Sequence, residues 1–402
     1  MSLAKKHTTI ALAYFMLIAL LGVFLRMFSV FEISANYKFI VHTHSHIALM
    51  GWVYTGLTTL IYQLFLKDNI PLKKYKTLFW FTQSTIIGML CTFPFIGYKL
   101  FSILFSTLFL FASYGFVYCF IKYTTATQKV MQSYLFVRNA LLYMVLSSLG
   151  PLSLGLIMNT AGKGSDLYRN SIYFYLHFQY NGWFIVALIG AFFYFLEQFK
   201  VVMPIATFKN VFYLFNIGVI FTFFHSLLWM NNVPLFVSVF AIGGALIQLI
   251  AFLILVQHVI TNRKKIALKT TSRVLLKTVA ILFVVKLMMQ LLGAFPIFSK
   301  IATTTIDLVI GYLHWVFLGV VSVGLFFFLH HFKLLKISNK ILTAYIVGFL
   351  TTELLLFYRG ASLFLSLEPL AYFSEYLLIA SVFLLLAIAG MFSYQFKKQK
   401  TS

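Results

Sequence analysis

Acidic residues and cysteines are nearly missing from this sequence. Only 8 of its 402 residues are Asp or Glu, against 31 Lys or Arg, and only 10% are charged at all. Soluble globular domains carry charge on about a quarter of their residues, so the composition excludes a soluble, a secreted disulfide-stabilised and a disordered chain. The two cysteines, Cys91 and Cys119, lie in apolar runs without metal-site spacing, and we interpret them as small buried hydrophobic residues.

A polar linker that would separate soluble domains is also missing, and 61% of the chain is hydrophobic. Apolar runs of about 20 residues are typical of membrane spans. We therefore predict an all-α, polytopic membrane helix bundle of about 12 transmembrane helices, forming a single integral membrane domain over residues 1–402 with no separate soluble domain. The predicted spans are residues 9–31, 39–66, 76–98, 99–122, 134–159, 169–197, 208–230, 234–261, 274–295, 305–332, 338–358 and 371–396.

The basic residues predict the orientation of these spans. Most of them lie in the N-terminal segment, in the loops after even-numbered spans and in the C-terminal tail with Lys397, Lys398 and Lys400. By the positive-inside rule both termini are cytoplasmic, and we expect a multi-pass protein of the bacterial cytoplasmic (inner) membrane in contact with membrane lipid. Because the charge is spread over many short segments, we expect no nucleic-acid binding.

Six of the ten histidines are predicted at the outer ends of four spans. They are His42, His44 and His46 in the HTHSH motif of span two, His177 in span six, His225 in span seven and His314 in span ten. Ionisable residues inside a membrane are costly unless they face the bundle interior and have partners. Neutral imidazole is a common ligand of copper, iron and haem iron. We therefore interpret the six as candidate ligands, with hydrogen bonding between helices as the structural alternative.

The spacing within HTHSH separates its histidines without identifying a ligand. His42 and His46 are four residues apart and are predicted to share a helix face, while His44 points away from it. Which of the three is a ligand stays open. The other histidines have ordinary positions: His7 is predicted in the cytoplasmic tail, and His258, His330 and His331 at the inner ends of spans.

A tryptophan follows His46 and His177 at the same distance. The sequences are HIALMGW and HFQYNGW, which place Trp52 and Trp183 after five intervening residues. This spacing indicates similar environments in spans two and six.

The layout of twelve spans, with histidines in the outer halves of spans two, six, seven and ten, resembles subunit I of the haem–copper oxidase superfamily, which includes the nitric oxide reductases. The resemblance implies that one of His42, His44 and His46 binds a low-spin haem and that His314 is a haem ligand. It implies that His177 and His225 bind a second metal, copper or iron, and that Tyr180 or Gln179 donates a hydrogen bond to a bound gas.

Some positions depart from that family. Span seven has Phe224-His225-Ser226 instead of two adjacent histidines, span ten has a single histidine, and Asn181 stands where the oxidases have a tyrosine. We therefore expect one haem and a partial second-metal site. The implied function is electron transfer, or O2 or NO binding or reduction, in the outer half of the membrane. A quinol or periplasmic cytochrome would donate electrons, other membrane subunits are implied as partners, and oxidoreductase activity stays open.

Two further ionisable residues lie inside predicted spans. Lys286 is near the middle of span nine and Glu353 is in span eleven. They are candidates for a proton path or for structural pairing. The alternative functions are a twelve-helix transporter, a metal-ion permease that uses the same histidines without haem, and an NnrS-like nitric oxide response protein.

Overall fold

The computed structural model describes residues 2–230, 233–368 and 370–397. Across these residues the chain is helical, without strands, and contains 12 helices long and apolar enough to cross a membrane, which confirms the predicted all-α polytopic bundle. The helices, α1 to α12, are Leu3–Met27, Tyr37–Leu66, Leu72–Ile96, Leu100–Tyr123, Gln132–Thr160, Asp166–Gln198, Ile205–Leu227, Leu235–Thr261, Thr270–Gly293, Ile306–His331, Asn339–Ser362 and Phe373–Tyr394. Lys398 and Lys400 of the basic tail lie outside the described residues.

The turn between α3 and α4 confirms that the two predicted spans are separate helices. Helix α3 ends at Ile96 and α4 begins at Leu100. Gly97 has a φ of 59°, in the left-handed region where only glycine avoids a steric cost. A Cβ atom at this position would also collide with the ring of Phe39 in α2. Glycine is therefore required at this turn.

The beginning of α1 shows that the prediction for His7 was wrong. The helix begins at Leu3, because the side chain of Ser2 accepts a hydrogen bond from a first-turn backbone N–H at 3.3 Å. His7 therefore lies in the helix, where only 1% of its surface is exposed. Its Nδ1 is 3.1 Å from the hydroxyl of Tyr75, and its ring stacks on Phe79. This histidine joins α1 to α3.

The chain divides into two compact units. The first consists of residues 1–124, 274–276 and 322–402, and the second of residues 125–273 and 277–321. In the first unit α1 packs on α2 and α12, α3 on α4, and α11 on α12. In the second unit α5 packs on α6, and α7 on α8. The HTHSH histidines belong to the first unit, whereas the other candidate histidines belong to the second.

Replacing Gly97 tests the turn between α3 and α4. We expect Gly97→Val to lower the free energy of unfolding by about 1–2 kcal/mol or more. A β-branched residue is strained in the left-handed backbone conformation, and its side chain would also collide with Phe39. The measurement is the thermal unfolding midpoint in detergent. Gly164→Val is the matched control, since a Cβ at Gly164 meets nothing within 4 Å. Equal losses in the two variants would contradict this interpretation.

Candidate functional site

Three candidate histidines directly precede an unusual helical segment. A π-helix, with hydrogen bonds from residue i to i+5, is rare and often marks a functional site. In the described part of the chain, π-helical segments Ile47–Tyr54, Phe178–Ile185 and Trp315–Val321 follow His46, His177 and His314. A further short π-helical segment, Tyr62–Leu66, ends α2. The three histidines thus share one local backbone context.

A glycine follows each of these histidines at the same distance. It is the fifth residue after the histidine: Gly51, Gly182 and Gly319. A Cβ at Gly51 would be 2.8 Å from the ring of Tyr14 in α1, and a Cβ at Gly182 would be 2.8 Å from the Cβ of Tyr143 in α5. Each of these two π-helical segments therefore packs directly on a tyrosine of the preceding helix.

The first of the two tryptophans seen in the sequence pattern is a packing residue. Trp52 is buried, stacks on Phe15 at 4.6 Å between ring centroids, and donates its indole N–H to the Ser322 hydroxyl at 2.8 Å. Trp183 is likewise buried in the second unit. These contacts fix the π-helical segment of α2 within the first unit.

His42 and His46 share a helix face, as predicted. Both rings contact Tyr98, at 4.6 and 5.7 Å between centroids. The Nδ1–H of His46 donates to the backbone carbonyl of His42 at 2.8 Å, and Nε2 lies 3.2 Å from the Tyr98 hydroxyl. Because a carbonyl can only accept, Nε2 is the acceptor of the hydroxyl proton. Both ring nitrogens of His46 thus have protein partners.

His44 points away from that face and contacts α1. Its Nδ1–H donates to the Ile18 carbonyl at 3.1 Å. Its Cε1 lies 3.3 Å from the position that a Cβ would take at Gly22, so α1 approaches the ring closely. Since Nδ1 carries the proton, the lone pair of the neutral ring is on Nε2. Metal-ligating histidines have this arrangement, with the second nitrogen donating to a carbonyl, and His44 shares it with His46.

His177 is buried in the second unit and uses both ring nitrogens. Nε2–H donates to the Val219 carbonyl at 2.8 Å, and Nδ1 accepts from the Asn181 side-chain amide at 3.2 Å. A metal bound to His177 would have to displace one of these two partners. Asn181, which stands in place of the oxidase tyrosine, therefore supports the histidine of its own helix.

His225 and Lys286 form the rest of this buried polar region. His225 lies in the 3-10 segment Phe223–Leu227 that ends α7, and a Cβ at Gly293 of α9 would be 2.7 Å from its Nε2. Lys286 is 1% exposed and donates to the Gln290 side-chain carbonyl. It interacts electrostatically with both His177 and His225. We call His177, His225, Lys286 and Gln290 the α9 polar cluster.

A multi-ligand metal centre is not assembled in the part of the chain that the structure describes. No group of three or more His, Cys, Asp or Glu side chains there is placed to hold a metal ion. His177 and His225 would supply two ligands, one fewer than the three histidines of the family that the sequence resembles. The residues therefore do not fit that second-metal centre without further ligands.

The remaining candidates of the second unit have separate partners. Gln179 donates its amide to the Ser147 hydroxyl at 2.9 Å and is thereby held to α5. The ring of Tyr180 lies 6.2 Å from that of His177 and 6.5 Å from that of Tyr312. Tyr312 is two residues before His314, which is half-buried and precedes the π-helical segment of α10.

Glu353 and Lys286 belong to different clusters. Glu353 is 1% exposed in α11 of the first unit and interacts electrostatically with Arg26 of α1 and with Tyr345. Lys286 has the partners of the α9 polar cluster in the second unit. Glu353 thus lies within electrostatic range of the Arg26 cation, and both structural pairing and a proton path stay predictions.

In comparisons with known proteins, no family model matches the chain, and no curated protein matches it either.

Replacing Gly293 tests the close approach of His225 to α9. We expect Gly293→Ala to lower the thermal unfolding midpoint, because the added methyl group would lie 2.7 Å from Nε2 of His225 and overpacking commonly costs about 1–3 kcal/mol. Gly243→Ala in α8 is the control, since a Cβ there meets nothing within 4 Å.

The double variant Gly293→Ala/His225→Ala completes a double-mutant cycle, which tests whether the two residues are in contact. Because the smaller residue at 225 leaves room for the methyl group, we expect the double variant to lose less stability than the two single variants lose together. Additive losses would show that the two residues do not touch.

Proposed function

We propose that this protein is an integral membrane haem protein that carries electrons, with His44 as an axial ligand of the haem iron. The observation that carries the proposal is the hydrogen bond from Nδ1 of His44 to the Ile18 carbonyl at 3.1 Å. It holds the ring at a fixed orientation and leaves the lone pair on Nε2. A haem bound at this nitrogen would supply the one-electron chemistry of its iron.

The neighbouring histidines of the motif support the choice of His44. His46 donates its Nδ1–H to a carbonyl of its own helix, that of His42, and both rings lie against Tyr98, whereas His44 donates to the neighbouring helix α1. Gly22 allows α1 to lie close to the His44 ring, so the carbonyl of Ile18 can reach Nδ1. A donor hydrogen bond of this kind increases the basicity of the other nitrogen.

The hydrogen bonds of the two ring nitrogens of His177 favour electron transfer over reduction of O2 or NO. Both its ring nitrogens have protein partners, so a second metal at His177 and His225 would have to break one of these bonds. The haem–copper resemblance suggests a quinol or a periplasmic cytochrome as electron donor.

A second candidate function is a twelve-helix transporter or metal-ion permease without haem. The α9 polar cluster favours it, because buried ionisable residues in membrane spans often mark ion and substrate pathways. Lys286 is buried and hydrogen-bonded to Gln290, and its charge acts electrostatically on His177 and His225.

The visible spectrum separates the two functions. The protein is expressed with a haem precursor supplied, purified in detergent, and measured as isolated and after reduction with dithionite. We expect a Soret band and a haem content, from the pyridine haemochrome, that approaches one per chain. A wild-type protein without a Soret band would contradict the haem proposal and favour the transporter.

Variants of the HTHSH motif identify the ligand. We expect His44→Ala to lose or strongly shift the haem spectrum, because it removes the Nε2 lone pair. His46→Ala on the same helix and His258→Ala near the end of α8 are the matched controls and should keep the wild-type spectrum. His314→Ala tests the ligand suggested by the resemblance. Monodisperse elution of each variant excludes misfolding, and equal spectral changes in His44→Ala and His46→Ala would refute the assignment.

A further inference from the structure

A groove runs along the first three turns of α3. It is shallow and open, and Lys73, Lys76, Thr77, Trp80 and Phe81 are among the residues that line it. These residues are spaced three, four and seven apart, which places them on one stripe of a helix. They are all exposed, whereas Tyr75 and Phe79 between them are buried. The groove is therefore the outward face of α3.

The groove changes from cationic to aromatic along the helix axis. Lys73 and Lys76 lie in the first turns, and Trp80 and Phe81 lie about 10 Å further along at about 1.5 Å per residue. Trp80 is 54% exposed and Phe81 is 41% exposed. Two ammonium groups followed along the helix by two exposed aromatic rings match a molecule with an anionic head and an apolar tail.

The two groove lysines differ from their neighbours. Lys74 donates to the hydroxyl of Tyr123 at 3.1 Å, and Lys122 donates to the hydroxyl of Tyr118 at 2.7 Å. Among the described residues, no hydrogen bond or ion pair joins Lys73 or Lys76 to another side chain. The groove thus presents two ammonium groups whose charge a ligand can neutralise.

The backbone adds to this positive charge. Helix α3 begins after Pro71 without a side-chain capping hydrogen bond, so the first N–H groups and the positive end of the helix dipole face the same end of the groove. An anion between the lysines would interact with both sources of positive charge.

We propose that this groove binds an anionic phospholipid, with its phosphate at Lys73 and Lys76 and an acyl chain along Trp80 and Phe81. Charge complementarity selects an anionic head, and the exposed aromatic wall selects a lipid over a free phosphate. The beginning of α3 is on the same side of the membrane as the chain termini, by the alternation of the helices. The positive-inside rule places this side, and hence the bound lipid, in the cytoplasmic leaflet.

Fluorescence quenching by brominated lipids tests the proposal. The protein is reconstituted into phosphatidylcholine nanodiscs that contain equal fractions of brominated phosphatidylglycerol or brominated phosphatidylcholine. The difference between the wild type and Trp80→Phe isolates the Trp80 signal, while Trp52 and Trp183 are buried away from lipid. We expect about a tenfold preference for the anionic lipid at Trp80.

Paired lysine variants give the control. In Lys73→Gln/Lys76→Gln the preference for the anionic lipid, as a ratio to phosphatidylcholine, should fall close to one. Lys74→Gln/Lys122→Gln should retain the preference, because those lysines are hydrogen-bonded to tyrosines. Thermal midpoints that match the wild type show that both variants are folded. Equal quenching by the two lipids in the wild type, or an unchanged preference in Lys73→Gln/Lys76→Gln, would overturn the proposal.

Inorganic phosphate separates a lipid from a free anion. Added phosphate should leave the preference unchanged, because the acyl chain contributes to lipid binding. Loss of the preference at physiological phosphate would overturn the lipid assignment and indicate a site for the free anion.

Discussion

A histidine inside a membrane span has to place its ring N–H on an acceptor, because the hydrocarbon interior offers no water. His44, His46 and His177 each donate to a backbone carbonyl. Such a bond fixes which nitrogen carries the proton, and the neighbourhood of the other nitrogen then determines what the ring can bind. At His46 that nitrogen faces Tyr98, and at His177 it faces Asn181.

The same constraint connects the fold to the candidate site. The carbonyl that holds His44 comes from α1, and it is within reach because Gly22 lets the ring approach that helix. The carbonyl that holds His177 comes from α7. The packing of neighbouring helices within each unit thus sets the tautomers of His44 and His177, whereas the tautomer of His46 is set within its own helix.

The sequence predicts the membrane architecture well, because length and hydrophobicity are enough to identify a span. All 12 helices found among the described residues overlap the predicted runs. The prediction failed at the beginning of α1, where Lys5 and Lys6 look like a tail although Ser2 caps the helix before them. The cysteine interpretation is confirmed for Cys119, which is buried, and is wrong for Cys91, which is exposed.

The details of the site could not be predicted from the sequence. The π-helical segments keep an apolar composition, so hydropathy gives no sign of them; only the recurrence of glycine five residues after His46, His177 and His314 could have indicated them. The distinction of His44 from the other HTHSH histidines depends on the Ile18 carbonyl of α1 lying beside its ring. The register of α1 against α2 determines this contact, and it cannot be derived from the spacing of residues along α2 alone. Similarly, the bond of Gln179 to Ser147 arises from the packing of α5 on α6.

The most direct test of the central claim is chemical rescue of His44→Gly. This variant is purified with haem supplied, and its spectrum is measured with and without added imidazole. If His44 is an axial ligand, the wild-type spectrum is lost in the variant and returns with imidazole, which occupies the vacated position. A variant that keeps the wild-type haem spectrum without imidazole would contradict the claim.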